Sequence, residues 1–162
     1  MKRRVYIETS VVSYLAARPS RDLLVAARQQ VTASWWETRR PTFRLFVSAV
    51  VLNEAGAGDA EAARRRMAFL VGIVVLDPTE SARELAGRLL SDGALPPQAV
   101  DDAAHVAVAA VHGMDYLLTW NCRHIANAEK KPLIRTICQR SGFACPEICT
   151  PEELMGESDD GR

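Results

Sequence analysis

Short apolar runs alternate along this chain with longer stretches in which apolar residues recur every three or four positions. The short runs read as strands and the periodic stretches as helices. "VYI", at 5–7, is the first strand candidate, and "SVVSYLA" starts a helix that Pro19 should end. Ser20 is expected to cap a second helix in which Leu23, Leu24, Ala27, Val31 and Trp35 share a face. "RLFVS", at 44–48, reads as a second strand, with Ser48 capping a short helix through Val51, Leu52 and Glu54. Asp59 caps the next helix, whose buried side holds Ala63, Met67 and Leu70. "GIVVL", at 72–76, is a third strand rich in β-branched residues.

The second half continues the alternation. A helix over 79–90 puts Ala82, Leu85, Ala86 and Leu89 on one face, and Gly93 with Pro96 and Pro97 then breaks the chain. A helix over 101–112 is closed by Gly113, and "DYLLTW", at 115–120, is a fourth strand. "PLIRTICQRSG" reads as a helix ended by Gly142. In "EICTPEEL" a short strand runs to Cys149, and Thr150, Pro151 and Glu153 have the spacing of a capping box opening a last helical turn. Apolar strands alternating with helices predict an α/β fold of three layers, α/β/α, with a central parallel sheet of about five strands. No linker or repeat divides residues 1–162, so one domain is expected, with 156–162 as a flexible tail.

At 162 residues and 48% apolar composition, the chain can bury one substantial core without disulfide staples. Formal net charge is zero, so bulk charge does not argue for nucleic acid. Local basic clusters at Lys2–Arg4, Arg39–Arg40 and Arg64–Arg66 keep that partner open, although such runs also serve as solvated faces. The basic N-terminus has no apolar stretch behind it, so no signal peptide is expected. No apolar run approaches the roughly 20 residues of a membrane helix, so a cytoplasmic protein with no membrane partner is expected. Cys122, Cys138, Cys145 and Cys149 are then expected to be reduced thiols, and their spacing fits no zinc pattern.

In parallel α/β folds, ligands bind beyond the carboxyl ends of the strands. Glu8 directly follows the first strand, with Thr9 and Ser10 beside it. Glu54 lies just after the second strand. Asp101 and Asp102 open the helix before the fourth strand, and Asn121 follows that strand. If the first and fourth strands are neighbours, these groups meet at one edge. Three clustered carboxylates repel unless a cation or a proton relieves them. Hard oxygen ligands suit Mg²⁺ or Mn²⁺, which can activate a water and steady charge on a phosphate. Each residue also has a plainer reading. Asp102 can complement a helix dipole for ~0.3–1 kcal/mol. Glu54 and Glu8 can be solvated, and Asn121 can be a turn residue. No Ser or Cys nucleophile with a His base stands out, and "GAGD" at 56–59 lacks the spacing and Lys of a phosphate loop.

Four stretches, in order and spanning nearly the whole chain, resemble the PIN-domain family, specifically its VapC-like toxins of toxin–antitoxin pairs. They are "YIETSVVSYL", "SAVVLNEAGAG", "DDAAHVAVAAVHGMDYLLTWN" and "ICTPEEL". The third is the most specific. The resemblance implies a Mg²⁺- or Mn²⁺-dependent endoribonuclease with an α/β/α fold. By position, Glu8, Glu54 and Asp102 match the family's three metal-binding acids, and Thr9 or Ser10 matches its supporting hydroxyl. Asp101 and Thr119 are further supporting residues. The first acid is usually Asp, so Glu8 is a departure, reaching on the order of 1 Å further. A fourth acid usually follows the fourth strand, and here Asn121 and His124 occupy its places. Asn121 is then an auxiliary catalytic residue offering a carbonyl oxygen without charge, and His124 a phosphate or leaving-group contact or a structural histidine. Arg64, Arg65, Arg66 and Arg123 are the candidates for holding an RNA backbone. The implied partners are an RNA substrate, a cognate antitoxin whose tail enters the site, and a second copy in a homodimer. Trp35 and Trp36 are placed at such an interface or in the core. The runner-up is a PIN-like RNA- or protein-binding module weakened in catalysis by the missing acid. A receiver domain lacks support, because the first strand offers only Glu8 and no second acid beside it.

Overall fold

The computed structural model describes residues 1–157. Its strands are β1 (Arg4–Ile7), β2 (Arg44–Ser48), β3 (Val74–Leu76), β4 (Tyr116–Leu118) and β5 (Glu147–Cys149). Its α-helices are α1 (Thr9–Ala16), α2 (Leu23–Ser34), α3 (Ala49–Ala55), α4 (Ala60–Leu70), α5 (Glu80–Ser91), α6 (Val100–Val111) and α7 (Lys131–Arg140). The five strands form one all-parallel sheet in the order β3-β2-β1-β4-β5. Val5, Tyr6 and Ile7 of the central β1 are fully buried, as a strand covered on both faces must be. One helical group joins α1 to α2, α3 and α4; the other joins α5 to α6 and α7. Together they make the expected three-layer α/β/α arrangement around one core.

The chain steps outward from β1 through β2 to β3, then returns to place β4 on the other side of β1. The reversal leaves a switch point between β1 and β4, whose carboxyl ends lie in register, Ile7 opposite Leu118. Glu8 and Thr119 are the next residues of the two strands, which is what positions the site.

Several local expectations hold at the atomic level. Asp59 caps α4 by accepting from Ala62 N at 2.9 Å, and α5 begins at Glu80, one residue after the expected start, with the Thr79 hydroxyl accepting from Ala82 N at 3.2 Å. Gly113 and Gly142 adopt φ of 68° and 89°, one residue beyond the caps of α6 and α7. The reciprocal Thr150–Glu153 bonds form as the capping-box spacing predicts, at 3.1 and 3.3 Å.

Other expectations are corrected. Asp22, not Ser20, caps α2, accepting from Val25 N at 2.9 Å, while the Ser20 hydroxyl accepts from Asp22 N. Leu23 and Leu24 are 87% and 61% exposed, so the apolar face of α2 is not core along its first turn. Trp35 is buried but lies beyond α2, in a π-helical turn over Trp35–Arg39, stacked on Phe43. Met67 is exposed at the edge of α4, because only Ala63 and Leu70 face inward. Ser48 makes no cap bond, since its hydroxyl turns to Tyr6 instead. β3 is shorter than "GIVVL", because Gly72 at φ 78° turns the chain and only Val74–Leu76 pair with β2. Residues after Thr150 form the final turn expected there. Of the expected tail at 156–162, residues 158–162 lie outside the described residues. Among the described residues no helix is long and apolar enough to cross a membrane.

The switch-point packing sets a stability prediction. Leu117 is fully buried in β4, opposite Tyr6 on one side and Ile148 on the other. Leu117→Ala should cost about 2–5 kcal/mol, read as a lower urea midpoint at unchanged m-value. A cost below about 1 kcal/mol would mean that the sheet centre relaxes into the gap.

Candidate active site

Glu8 is only 5% exposed, so it is not a surface acid at the end of a strand. Its carboxylate is the N-cap of α1 and accepts from Ser10 N at 2.7 Å. The Ser10 hydroxyl donates to it at 2.6 Å, and the Thr119 hydroxyl donates from the neighbouring strand end. A buried carboxylate is tolerable only with such donors around it. These bonds explain why Thr119 and Ser10 matter locally: they hold Glu8 across the switch point. The Ser10 hydroxyl also accepts from Trp120 N at 2.8 Å, tying α1 to the end of β4.

Glu54, on α3, is half-buried and accepts from the Thr9 hydroxyl at 2.8 Å. Its second partner is His105 Nε2 on α6. His105 is 1% exposed, and its Nδ1 lies 2.7 Å from the Tyr6 hydroxyl, which lies 2.7 Å from Ser48 Oγ. A carboxylate only accepts, so Nε2 carries the proton facing Glu54. With His105 neutral, Tyr6 then donates to Nδ1 and Ser48 to Tyr6. Burial opposes charge on both partners of the Glu54–His105 pair. For Glu54, burial is outweighed by the hydrogen bond and charge of His105, and its pKa falls below 4.5. For His105, burial is outweighed by the Glu54 bond and the charges of Glu8, Glu54 and Asp102, and its pKa rises above 6.5. Burial pushes the Tyr6 hydroxyl well above its usual range, so it stays protonated.

Asp102 lies in the first turn of α6, three residues before His105 and so on nearly the same helix face. Asn121 Nδ2 donates to its Oδ1 at 3.0 Å, and His124 Nδ1 sits 2.9 Å from its Oδ2. The Asn121 carbonyl accepts from His124 N at 3.0 Å, so it is engaged inside the protein, while Asn121 N donates to the Thr119 hydroxyl at 2.9 Å. The bonds close a circuit around the switch point. It runs from Glu8 through Thr119, Asn121 and Asp102, along α6 to His105, and back through Glu54 to Thr9.

Not every sequence candidate joins it. Asp101 is exposed on the outer side of α6. Arg65 Nε donates to Ala16 O at 3.1 Å, and Arg66 donates to Ala55 O and Ala57 O at 2.8 and 2.6 Å. These two guanidiniums tie α4 to the carboxyl ends of α1 and α3. Arg64 and Arg123 are exposed. Sequence reasoning missed His105, Tyr6 and Ser48. The available signal was a histidine at i+3 from Asp102 inside an otherwise apolar helix.

The carboxylates retain unused acceptor capacity. Glu54 Oε2 has no protein partner among the described residues, and each Asp102 oxygen has one. The donor chemistry therefore fits a hard divalent cation. The three acids are not gathered into one coordination sphere, because no group of three or more His, Cys, Asp or Glu side chains among the described residues is arranged to hold a metal.

No family model and no curated protein matches the chain. Solved structures do match. VapBC2 from Rickettsia felis, solved on a DNA fragment from its promoter, is 14% identical over 91% of this chain and 98% of that one, with a TM-score of 0.59. VapBC-1 from nontypeable Haemophilus influenzae is 16% identical over 92% and 98%, with a TM-score of 0.58. Mycobacterium tuberculosis VapC20, described as a sarcin-ricin loop cleaving toxin, is 21% identical over 70% and 86%, with a TM-score of 0.54. The chain thus has the fold of VapC toxins, as the sequence resemblance implies.

The Glu54–His105 pair gives a signed pH dependence for the metal-free protein. The lowered Glu54 pKa contributes stability above pH 4.5 that fades as pH falls through its folded value. The raised His105 pKa contributes stability below pH 6.5 that fades as pH rises through its folded value. Urea unfolding in EDTA should therefore show declining stability on the alkaline side of 6.5, and His105→Gln should flatten that decline. An unchanged alkaline slope in the variant would show that His105 is not the group responsible.

Proposed function

We propose that this protein is an endoribonuclease of the toxin–antitoxin kind that requires Mg²⁺ or Mn²⁺. The observation that supports the reading is that Glu8, Glu54 and Asp102 are each held by hydrogen bonds from neighbouring elements, Thr119 on Glu8, Thr9 and His105 on Glu54, and Asn121 on Asp102, in a VapC-type fold. Glu54 and Asp102, with Glu8 behind them, would hold the divalent cation. When bound, the cation supplies an activated water and a counter-charge for the phosphodiester oxygens.

The chain's own residues do the rest. Thr9 and His105 fix the Glu54 carboxylate from two sides. Asn121 and His124 fix Asp102, and Ser10 and Thr119 fix Glu8. Each acid thus presents its oxygens in a set orientation before any ligand arrives, which is the condition for electrostatic catalysis. Exposed arginines such as Arg64 and Arg123 hold the RNA backbone by charge. An antitoxin partner is supported by the VapBC structures among the similar proteins, and the proposal adds that it covers the same edge and that the chain pairs with a second copy.

A second reading has one observation in its favour. Asn121 brings no charge, and its side-chain carbonyl is partly engaged by His124 N, so a metal here would draw its counter-charge from three carboxylates alone. A binding module without catalysis would follow. Calorimetry separates the two, since the nuclease reading expects Mn²⁺ binding at millimolar metal and the module reading expects none.

Asp102→Asn should lower Mn²⁺-supported cleavage of total RNA by roughly 100-fold while leaving the urea midpoint nearly unchanged. Cleavage that survives the substitution would remove Asp102 from the site.

A further inference from the structure

An open groove of about 530 Å³ borders the acid circuit on one side. Arg123, His124 and Lys130 line one part of it, and Pro96, Pro97 and Gln98 line another. No carboxylate is among its lining residues. Two other hollows on the surface are electrostatically mixed, and a third carries a single arginine, Arg83, on an otherwise uncharged lining. The one beneath Trp36 sets Lys2 and Arg40 against Glu37, and the one beside Trp120 sets Arg28 against Glu152 and Glu153. In a chain with as many acids as bases, an acid-free groove with two cations, joined through His124 to Asp102, is a local charge separation.

His124 connects the groove to the acids. Its Nδ1 is held by Asp102 Oδ2 and its backbone N–H by the Asn121 carbonyl, so both the ring and the turn carrying it are fixed. Its Nε2 has no protein partner among the described residues, on a ring that lines the groove. The turn continues through Asn127, whose amide donates to Cys122 O and Arg123 O at 3.2 Å. Arg123 and Lys130 therefore project from a braced loop. On the facing side, Pro96 and Pro97 present rigid apolar surface, and Gln98 offers both a donor and an acceptor.

We infer that this groove is a subsite for the single-stranded RNA segment next to the bond being cut, with Arg123, His124 and Lys130 holding its phosphates and the Pro96–Gln98 wall facing a base. The inference rests on the endoribonuclease reading for the direction of the strand, but not for binding itself. The fit is chemical. A nucleotide pairs a flat, partly apolar base with an anion, and the groove pairs an apolar wall bearing one amide with two cations and an imidazole nitrogen. An acidic protein segment would meet the cations but has no use for the wall beside the acids. The geometry also gives a function to the residues at the places where the resemblance leads one to expect a fourth acid. A carboxylate there would repel the phosphate that His124 and Arg123 are placed to meet.

The test measures binding and cleavage separately. Anisotropy of a fluorescein-labelled single-stranded RNA, in EDTA across a salt series, is compared for wild type, Arg123→Ala, Lys130→Ala and Arg83→Ala. Arg83 lies on α5 in a different groove, so its loss makes the same charge change elsewhere. Each groove variant should weaken binding about fivefold at about 0.1 M salt and reduce the salt slope by about 0.7, with Arg83→Ala unchanged. Equal weakening by all three variants would mean diffuse charge and overturn the subsite, as would no weakening by the groove variants. If an unlabelled polyglutamate peptide competes as well as an unlabelled RNA of matched charge, the groove is an acidic-peptide site and the proposal fails. Cleavage in Mn²⁺ is scored on its own. Wild type that binds through the groove without cleaving would refute the nuclease reading and leave the subsite standing. Wild type that cleaves while the groove variants bind normally would do the reverse.

Discussion

The structure turns on one buried carboxylate. Glu8 ends the central strand, nearly excluded from water, and α1 begins on it. Its oxygens take the backbone N–H and hydroxyl of Ser10, within its own helix turn, and the hydroxyl of Thr119, at the end of the neighbouring strand. A buried polar group left without donors would cost on the order of 1–3 kcal/mol, and more for a charged one. The end of β1, the start of α1 and the end of β4 are therefore bound to one another by a single requirement. That requirement also fixes the place where the sheet reverses direction, which is where the remaining acids arrive.

Core and site are the same object on the other side of β1. The Tyr6 side chain leaves the centre of the sheet and meets Ser48 at the end of β2 and His105 on α6. His105 then reaches Glu54 on α3. A strand, a strand end and two helices are thus connected through three buried side chains and the half-buried Glu54. A fully satisfied buried network is rigid, and a half-satisfied one is worse than an apolar core. The second acid consequently inherits its orientation from packing in the sheet and not from its own short helix.

The local grammar of the chain was readable where its signals were local. β2 at "RLFVS", the Asp59 cap, and the glycines after α6 and α7 all depend on residues within a few positions of one another. The order of elements implied parallel pairing, and pairing put Glu8, Glu54 and Asp102 at one edge. Reading failed where the deciding partner was distant. His105 meets Tyr6 only because α6 crosses near β1, a contact between residues 99 apart in sequence. Ser48 looked like a cap because no sequence pattern announces that its hydroxyl has a better partner 42 residues earlier. Leu23 and Leu24 followed the helical period but start a helix whose first turn lies outside the core. The π-helical turn at Trp35 was invisible, because stacking on Phe43 and the bond from its indole to Leu154 O decide where that side chain goes.

Asn121 and His124 change the balance of the site rather than merely thinning it. At the end of β4 a carboxylate would add charge to a cluster already holding three. Here an amide and an imidazole stand instead, and both are spent on Asp102. Asp102 thereby gains two hydrogen-bond donors without a competing anion. Negative charge is confined to one side of the circuit, and Arg123 and Lys130 stand on the other with His124 between them. On the proposed subsite, a phosphate backbone is drawn to the groove side of that boundary and kept off Asp102.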